Sequence, residues 1–445
     1  MNAALDNDLI EDSLLGALLG DEAYFPPEPA TLAETGVSPV LIEGLVGKFL
    51  LQVGSSTGRK IAQQLALPFG ALEPLLSDLR DRQLVMHQGQ AALNDYYYSL
   101  TDQGTARAQS AMAACAYVGP TPVPLEDYIV SVEAQSIRAE AARREKLVEA
   151  FADINVEPEM LELLGPAVNS GAGLFLYGAP GNGKTTIAKR ITKCFGSHIW
   201  MPHALIDEGV IIKLFDAACH EVVNDENDSM LLKSGSCDPR WVKVRRPTVV
   251  VGGELTLDSL EVRHDPVTNV SEASLQLKSN CGCLLIDDFG RQRINPTDLL
   301  NRWIIPLENR HDFLTLASGK KIQVPFDQLI IFSTNLEPND LADEAFLRRI
   351  PYKVEVDDPS VDEFRKLFKF ACKAADCAYR PEAVDYLIQK HYRPTNRPLR
   401  RCQARDLVQQ IANYCAFTGT AVELRPDYLD RAVAGYFTVC ETTTD

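Results

Sequence analysis

Eight consecutive residues have the types and spacing to hold a phosphate chain. Gly178-Ala179-Pro180-Gly181-Asn182-Gly183-Lys184-Thr185 fits G-x-x-x-x-G-K-[ST] in full. An apolar run, Leu174–Tyr177, precedes it, and a helical run beginning Thr186-Ile187-Ala188 follows. The chemistry needs those flanks. Glycines let successive backbone N–H groups turn inward around an anion, and the next helix aims its partly positive N-terminus at the same charge. Lys184 is expected to reach the β- and γ-phosphates, and the Thr185 hydroxyl to ligate Mg²⁺. The positions expected to bind the nucleotide are Gly178, Ala179, Pro180, Gly181, Asn182, Gly183, Lys184, Thr185 and Thr186.

Further along, Cys283-Leu-Leu-Ile-Asp287-Asp288 reads as a buried strand ending in two carboxylates. Asp287 would hold Mg²⁺ directly or through water, and Asp288 would orient and polarise the attacking water. Leu329-Ile-Ile-Phe-Ser-Thr-Asn335 is a second apolar strand with a polar end. The Asp-Phe-Gly triplet at 288–290 matches a kinase signature only by chance, because no H-R-D catalytic loop accompanies it.

These segments occur in the order found in AAA+ ATPases, and residues of about 150–420 resemble that family. The resemblance implies ATP as the nucleotide, an α/β core with a largely parallel sheet, a helical lid and usually a hexameric ring. Asn335 is similar to the sensor that places the water, or else simply caps its strand turn. Ala345-Phe-Leu-Arg348-Arg349-Ile-Pro351 resembles the arginine-finger segment, which acts on a neighbouring subunit's nucleotide; Arg349 aligns best and Arg348 is the reserve. Arg401-Cys-Gln-Ala-Arg405 resembles the lid's sensor element, with Arg405 facing the nucleotide. One departure stands out: most AAA+ proteins carry Asp-Glu where this chain has Asp287-Asp288, which makes slow hydrolysis an expectation.

Two inserts stand out, and the one at 312–325 resembles the extra hairpin of the AAA+ branch that contains MoxR-type chaperones, enhancer-binding activators and replicative motors. Residues 312–325 alternate apolar residues around Ser-Gly-Lys and read as a β-hairpin; residues 249–280 hold another around 261–269. The stretches around Asp287–Gln292, Leu300–Glu308 and Asp343–Arg349 look like a bacterial AAA+ family described as chaperone-like and sometimes linked to pilus assembly. The Asp-Asp-Phe-Gly turn is also similar to transposition helpers and helicase loaders.

The elements that must position these residues parse into five parts. Residues 1–35 form an acidic N-terminal tail, in which Leu9 to Leu19 have the spacing of a short amphipathic helix. Residues 36–117 read as three helices, a β-hairpin and a capped helix, which resembles a winged-helix domain of α+β class. Residues 118–151 are a Pro-rich linker and helix, 152–355 the AAA+ α/β nucleotide-binding domain, and 356–445 an all-α lid. Strands are expected at 173–177, 198–202, 283–286 and 329–333.

The net charge of −17 disfavours non-specific nucleic-acid binding, because phosphate contacts need local positive charge. A protein client or adaptor, bound through the winged helix or the acidic tail, is the expected partner; DNA is possible and not favoured. Eleven scattered cysteines form no paired metal array, and Cys281 and Cys283 lead into an apolar strand, so free thiols in a reducing compartment are expected. No apolar run is long enough to span a bilayer, and no basic leader is present, which points to the cytoplasm.

Overall fold

The computed structural model describes residues 24–139, 142–154, 156–223, 236–341 and 344–437. The helix expected at Leu9 to Leu19 lies outside them. The chain divides into two compact units: one holds residues up to 141, 195–284 and 292–330, the other 142–194, 285–291 and 331 onward.

In the first unit, helices Pro39–Val53, Gly58–Leu65 and Phe69–Asp81 precede a hairpin, Val85–Ala91 with Asp95–Leu100, and a fourth helix, Asp102–Ala114. Local chemistry sets these boundaries. The Thr57 hydroxyl accepts from Lys60 N at 3.3 Å, and the Thr101 hydroxyl from Gly104 N at 3.0 Å, each capping a helix start. Buried Asp95 accepts from Gly58 N (3.1 Å) and Arg59 N (2.9 Å), which ties the hairpin to the second helix. At Gly104 an added Cβ would sit 1.9 Å from the Leu84 carbonyl oxygen, so only glycine fits there. Ile42, Leu45, Leu72 and Leu76 fill the core between the helices, and Ala204 and Ile211 join the same cluster.

The remainder of this unit is β-rich. A mixed sheet has the order Arg263–Asp265, Val270–Glu272, Val210–Lys213, Ala204–Asp207, Val123–Pro124. The proline-rich stretch therefore contributes an edge strand, with Val123 paired in parallel to Leu205. Proline is tolerated there because an edge strand needs fewer donors. His198–Pro202 pairs antiparallel with Trp241–Arg245 in a separate ribbon, and His311–Thr315 with Lys321–Pro325 in a hairpin.

The second unit carries strand Leu174–Tyr177, flanked in parallel register by Gln328–Thr334 (Ile331 opposite Leu174) and by Tyr352–Glu355 (Tyr352 opposite Leu174). The sheet order is Thr248–Val251, Gly282–Ile286, Gln328–Thr334, Leu174–Tyr177, Tyr352–Glu355. Every residue of Gly282–Ile286 and Gln328–Thr334 is buried, which is why both read as unbroken apolar runs rather than alternating ones. The strand expected at 198–202 is not in this sheet; Thr248–Val251 is.

Four helical segments complete the unit: Val361–Ala374, Pro381–Leu387 continued by a π-helical turn Ile388–Tyr392, Arg401–Thr418 and Pro426–Tyr436. A capping box at Ser360 and Glu363 starts the first. Phe364, Phe368, Leu387, Leu407 and Ile411 form their common core. The fold is thus α/β with parallel strands and a C-terminal helical region. No helix of the described residues is long and apolar enough to cross a membrane. The ten cysteines described are all free thiols, with Cys281 and Cys283 fully buried.

Candidate functional site

The loop strand Leu174–Tyr177 ends on Gly178, whose φ of +129° no side chain adopts easily; an added Cβ would stand 2.7 Å from the Val356 carbonyl oxygen. Gly181 and Gly183 also have positive φ (85° and 87°), and Gly183 is the N-cap of helix Lys184–Ile191. The glycines therefore do what the sequence demanded of them: they bend the loop around the N-terminus of a helix.

Three strand ends then bring the chemistry together. Lys184 Nζ donates to the carbonyl oxygens of Gly178 (2.8 Å) and Ala179 (3.0 Å) and to Asn335 Oδ1 (2.8 Å). Thr185 Oγ1 donates to Asp287 Oδ2 at 2.8 Å, across 102 positions of sequence. Asp287 Oδ1 accepts from Asp288 N at 3.1 Å, and Asn335 Nδ2 donates to Asp288 Oδ1 at 3.3 Å. Asp288 has φ +50°, a left-handed conformation that aspartate tolerates better than most residues. Burial pushes the Lys184 ammonium below its ordinary range and Arg400's charge adds to that, while Asp287 and Asp288 oppose both.

These groups open onto a cavity of about 670 Å³. Pro180 to Thr186, Asp287, Asp288 and Asn335 line it. Ile154, Val156, Met160, Leu163, Leu367 and Phe370 add apolar surface to the same wall. Carboxylates outnumber cations on its wall: Asp153, Glu157, Glu159, Asp287, Asp288, Glu355, Asp357, Asp358 and Glu363 stand against Lys184, Arg401 and Arg405. A polyanion entering here meets a wall that repels it unless backbone N–H groups, Lys184 and a bound cation compensate.

The expected residues separate into three groups. Gly181 to Thr186, with Asp287, Asp288 and Asn335, converge on the cavity, while Gly178 and Ala179 support Lys184 through their carbonyls. Arg405 also lines the cavity, but its side chain is 79% exposed and paired with Asp406 at 2.9 Å. Arg348 and Arg349 are not on the cavity wall; Arg348 pairs with Glu344 at 2.7 Å on the surface.

The sequence reading missed Arg400 and Asp358. Arg400 hydrogen-bonds Asp358, and Asp358 Oδ1 accepts from Asn182 Nδ2 at 2.7 Å.

A domain of unknown function, DUF8689, matches residues 360–435, the helical region. No curated protein matches the chain. Among solved structures, NtrX from Brucella abortus is similar at 15% identity and a TM-score of 0.41, over 66% of this chain; the chain spans 57% of that protein's length. The RuvB Holliday junction branch migration motor of Thermotoga maritima is similar at 14% identity and a TM-score of 0.34, over 62% of this chain and 66% of its own. At these scores neither likeness bears on function.

Proposed function

We propose that this chain is an AAA+ ATPase that binds ATP and Mg²⁺ at Gly178–Thr186 and uses hydrolysis, in a homo-oligomeric ring, to remodel protein partners. The observation that carries the reading is the pair of hydrogen bonds Thr185–Asp287 and Lys184–Asn335 at the ends of neighbouring strands. A hydroxyl and a carboxylate side by side are hard oxygen donors suited to Mg²⁺, which keeps most of its waters and takes few protein ligands. The carboxylate-rich wall gives that cation a second purpose, since it neutralises phosphate charge that the wall repels. The apolar residues of the cavity wall suit a flat base.

The chain's own groups divide the work as follows. Loop N–H groups and Lys184 hold the phosphates. Thr185 and Asp287 would hold Mg²⁺, which when bound would offset the charge of the phosphates. Asp288 accepts a hydrogen bond from the water that attacks the γ-phosphorus, and Asn335 fixes that water's direction. As the water oxygen bonds to the γ-phosphorus, the bond from phosphorus to the bridging oxygen breaks; ADP leaves with that oxygen, inorganic phosphate keeps the water oxygen, and the water's proton passes to Asp288 and from there to solvent. Asp288 reaches one methylene less far than the usual Glu, which fits slow turnover. Arg349, with Arg348 in reserve, would complete a neighbour's site, and Arg405 would face the nucleotide from the helical region.

Protein rather than DNA is favoured as partner by the charge of the winged-helix-like region. Arg82 pairs with Glu43 (2.7 Å) and Asp78 (3.3 Å), Arg107 with Glu43 (3.2 Å) and Arg80 with Asp81 (2.9 Å), so three of its four arginines are engaged by its own carboxylates. The free thiols support a reducing, cytoplasmic setting. The runner-up reading, a DNA-associated loader, transposition helper or activator, predicts DNA retention that weakens steeply with salt. A third, a nucleotide-controlled scaffold, predicts binding with negligible turnover even after Asp288→Glu.

Mass photometry without nucleotide, with ADP and with a slowly hydrolysed ATP analogue tests the ring. Assembly to about six subunits with the analogue supports it. A monomer or dimer under every condition removes the basis for Arg349 acting in trans.

A further inference from the structure

Two thiols meet where helix Val361–Ala374 ends. Ala375 is its C-cap, and Asp376, with φ +49°, is the left-handed residue that turns the chain away. Cys377 N then donates back to the Cys372 carbonyl at 2.8 Å, the long closing bond of a Schellman turn. The turn fixes the spacing of the two cysteines. Covalent bond lengths plus that hydrogen bond hold their Cα atoms within about 6.7 Å, inside the span of a disulfide. The side chains face each other, because the Cys372 and Cys377 thiols are hydrogen-bonded. Both lie in the core of the helical region, Cys372 at 0% and Cys377 at 7% exposure, and Cys415 belongs to the same core.

The two sulfurs are not equivalent. Burial pushes the Cys372 thiol up to about 12. Burial raises Cys377 as well, but the hydrogen bond from Cys372 favours its thiolate and works against that rise. Cys377 is also the more exposed of the pair, so it is the sulfur that reacts first.

We propose that Cys372 and Cys377 are a dithiol modification site, which a peroxide converts into a disulfide across the end of helix Val361–Ala374. The Cys377 sulfur attacks one oxygen of hydrogen peroxide and the O–O bond breaks. The departing hydroxide takes up the proton that the thiol released, and Cys377 is left as a sulfenic acid. The Cys372 sulfur then attacks the Cys377 sulfur, the S–O bond breaks, and water leaves with the Cys372 proton. Two thiols lose two electrons and one peroxide becomes two waters. The residue that follows carries the effect onward. Ala378 N donates to the Val422 carbonyl at 3.0 Å, and its own carbonyl accepts from Leu424 N at 3.1 Å. The disulfide therefore ties the end of one helix to the segment that leads into helix Pro426–Tyr436. This site does not depend on the nucleotide reading.

The test exposes the full chain, without denaturant, to hydrogen peroxide. Remaining thiols are capped with N-ethylmaleimide as the chain is unfolded, and tryptic peptides are read by mass spectrometry. Cleavage after Lys373 separates the two cysteines, so the disulfide appears as peptide 370–373 joined to 374–390. The joined pair should be the main disulfide product, vanish with dithiothreitol, and raise the thermal unfolding midpoint by a few degrees. Cys372→Ser should lose the joined pair and leave Cys377 as a sulfenic acid that dimedone labels. Cys377→Ala should lose both the pair and the peroxide-dependent midpoint shift, and it decides the matter if Cys372→Ser fails to fold. Three results overturn the proposal: Cys377 linked to Cys415 instead, both thiols still fully capped by N-ethylmaleimide after peroxide, or a 372–377 link that forms only in urea.

Discussion

The buried ion pairs of the first unit and the phosphate loop of the second hold their charges in opposite ways. In the first, cations and carboxylates neutralise one another in closed groups. Arg302 bonds Asp312 (2.7 Å) and Glu261 (2.8 Å), Lys278 bonds Asp216 (2.8 Å) and Glu272 (2.6 Å), and Arg240 bonds Asp238 (2.8 Å). Asp312, Lys278, Arg240 and Asp238 are nearly inaccessible, so each pair is locked by the cost of leaving either charge alone in a poorly solvated place. In the second unit, Lys184 rests on two carbonyls and a neutral amide, and Asp287 accepts from a hydroxyl. Those partners are exchangeable: a phosphate or a cation can replace them without stranding a charge. The contrast is local: the pairs of the first unit close on themselves, whereas the ammonium of Lys184 is supported by neutral groups alone.

The largest effect expected from breaking this comparison is on the scaffold side. Arg302→Ala leaves Asp312 buried without its cation and should cost about 3 kcal/mol or more in urea unfolding, while the nucleotide affinity of the folded protein stays as it was. A loss under 1 kcal/mol would mean that the pair is not structural. On the site side, Asn335→Ala should leave the fold intact and lower kcat about a hundredfold, the usual result of removing one preorganised donor; an unchanged kcat would remove Asn335 from the water's environment.

The smallest effect sharpens the contrast within the helical region. Lys390 Nζ (2.8 Å), His391 Nε2 (2.5 Å) and Tyr386 OH (2.9 Å) all surround Asp430. Burial raises its pKa, but the hydrogen bonds from Lys390, His391 and Tyr386 win and bring it down to about 2. A carboxylate depressed in the folded state adds stability above its unfolded pKa, and that stability is lost as pH falls through the folded value. The extra stability of wild type over Asp430→Asn should therefore be full above about pH 4 and gone near pH 2, as read by circular dichroism. Because Asp430 is 35% exposed, the difference should be modest and shrink in salt. A gap between the two proteins that is independent of pH would contradict the assignment.

What was legible in the sequence follows from what is local. The loop at 178–185 and the runs at 283–286 and 329–333 declare themselves through spacing and unbroken apolarity, since glycine-dependent turns and strands buried on both faces leave no choice of residue. The hairpin 311–325 was legible for the same reason: Ser318-Gly319-Lys320 can only be a turn, and Gly319 has φ +83°. Pairing between distant segments was not legible. His198–Pro202 is as apolar as a core strand, yet its partner is Trp241–Arg245. Val123–Pro124 looked like linker because a parallel partner at Leu205–Ile206 leaves no mark on its own residues. Asp358 and Arg400 were invisible because one carboxylate serving two segments, 176 and 42 positions away, has no local signature.

Equilibrium binding of ATP to the wild type and to Lys184→Ala, with and without Mg²⁺, tests the central claim most directly. Wild-type binding should strengthen with Mg²⁺, because the cavity wall is carboxylate-rich, and Lys184→Ala should lose about a hundredfold or more, as for removal of a charge-assisted contact in a partly buried site. Equal affinity in the two proteins, or no binding by the wild type, would contradict it.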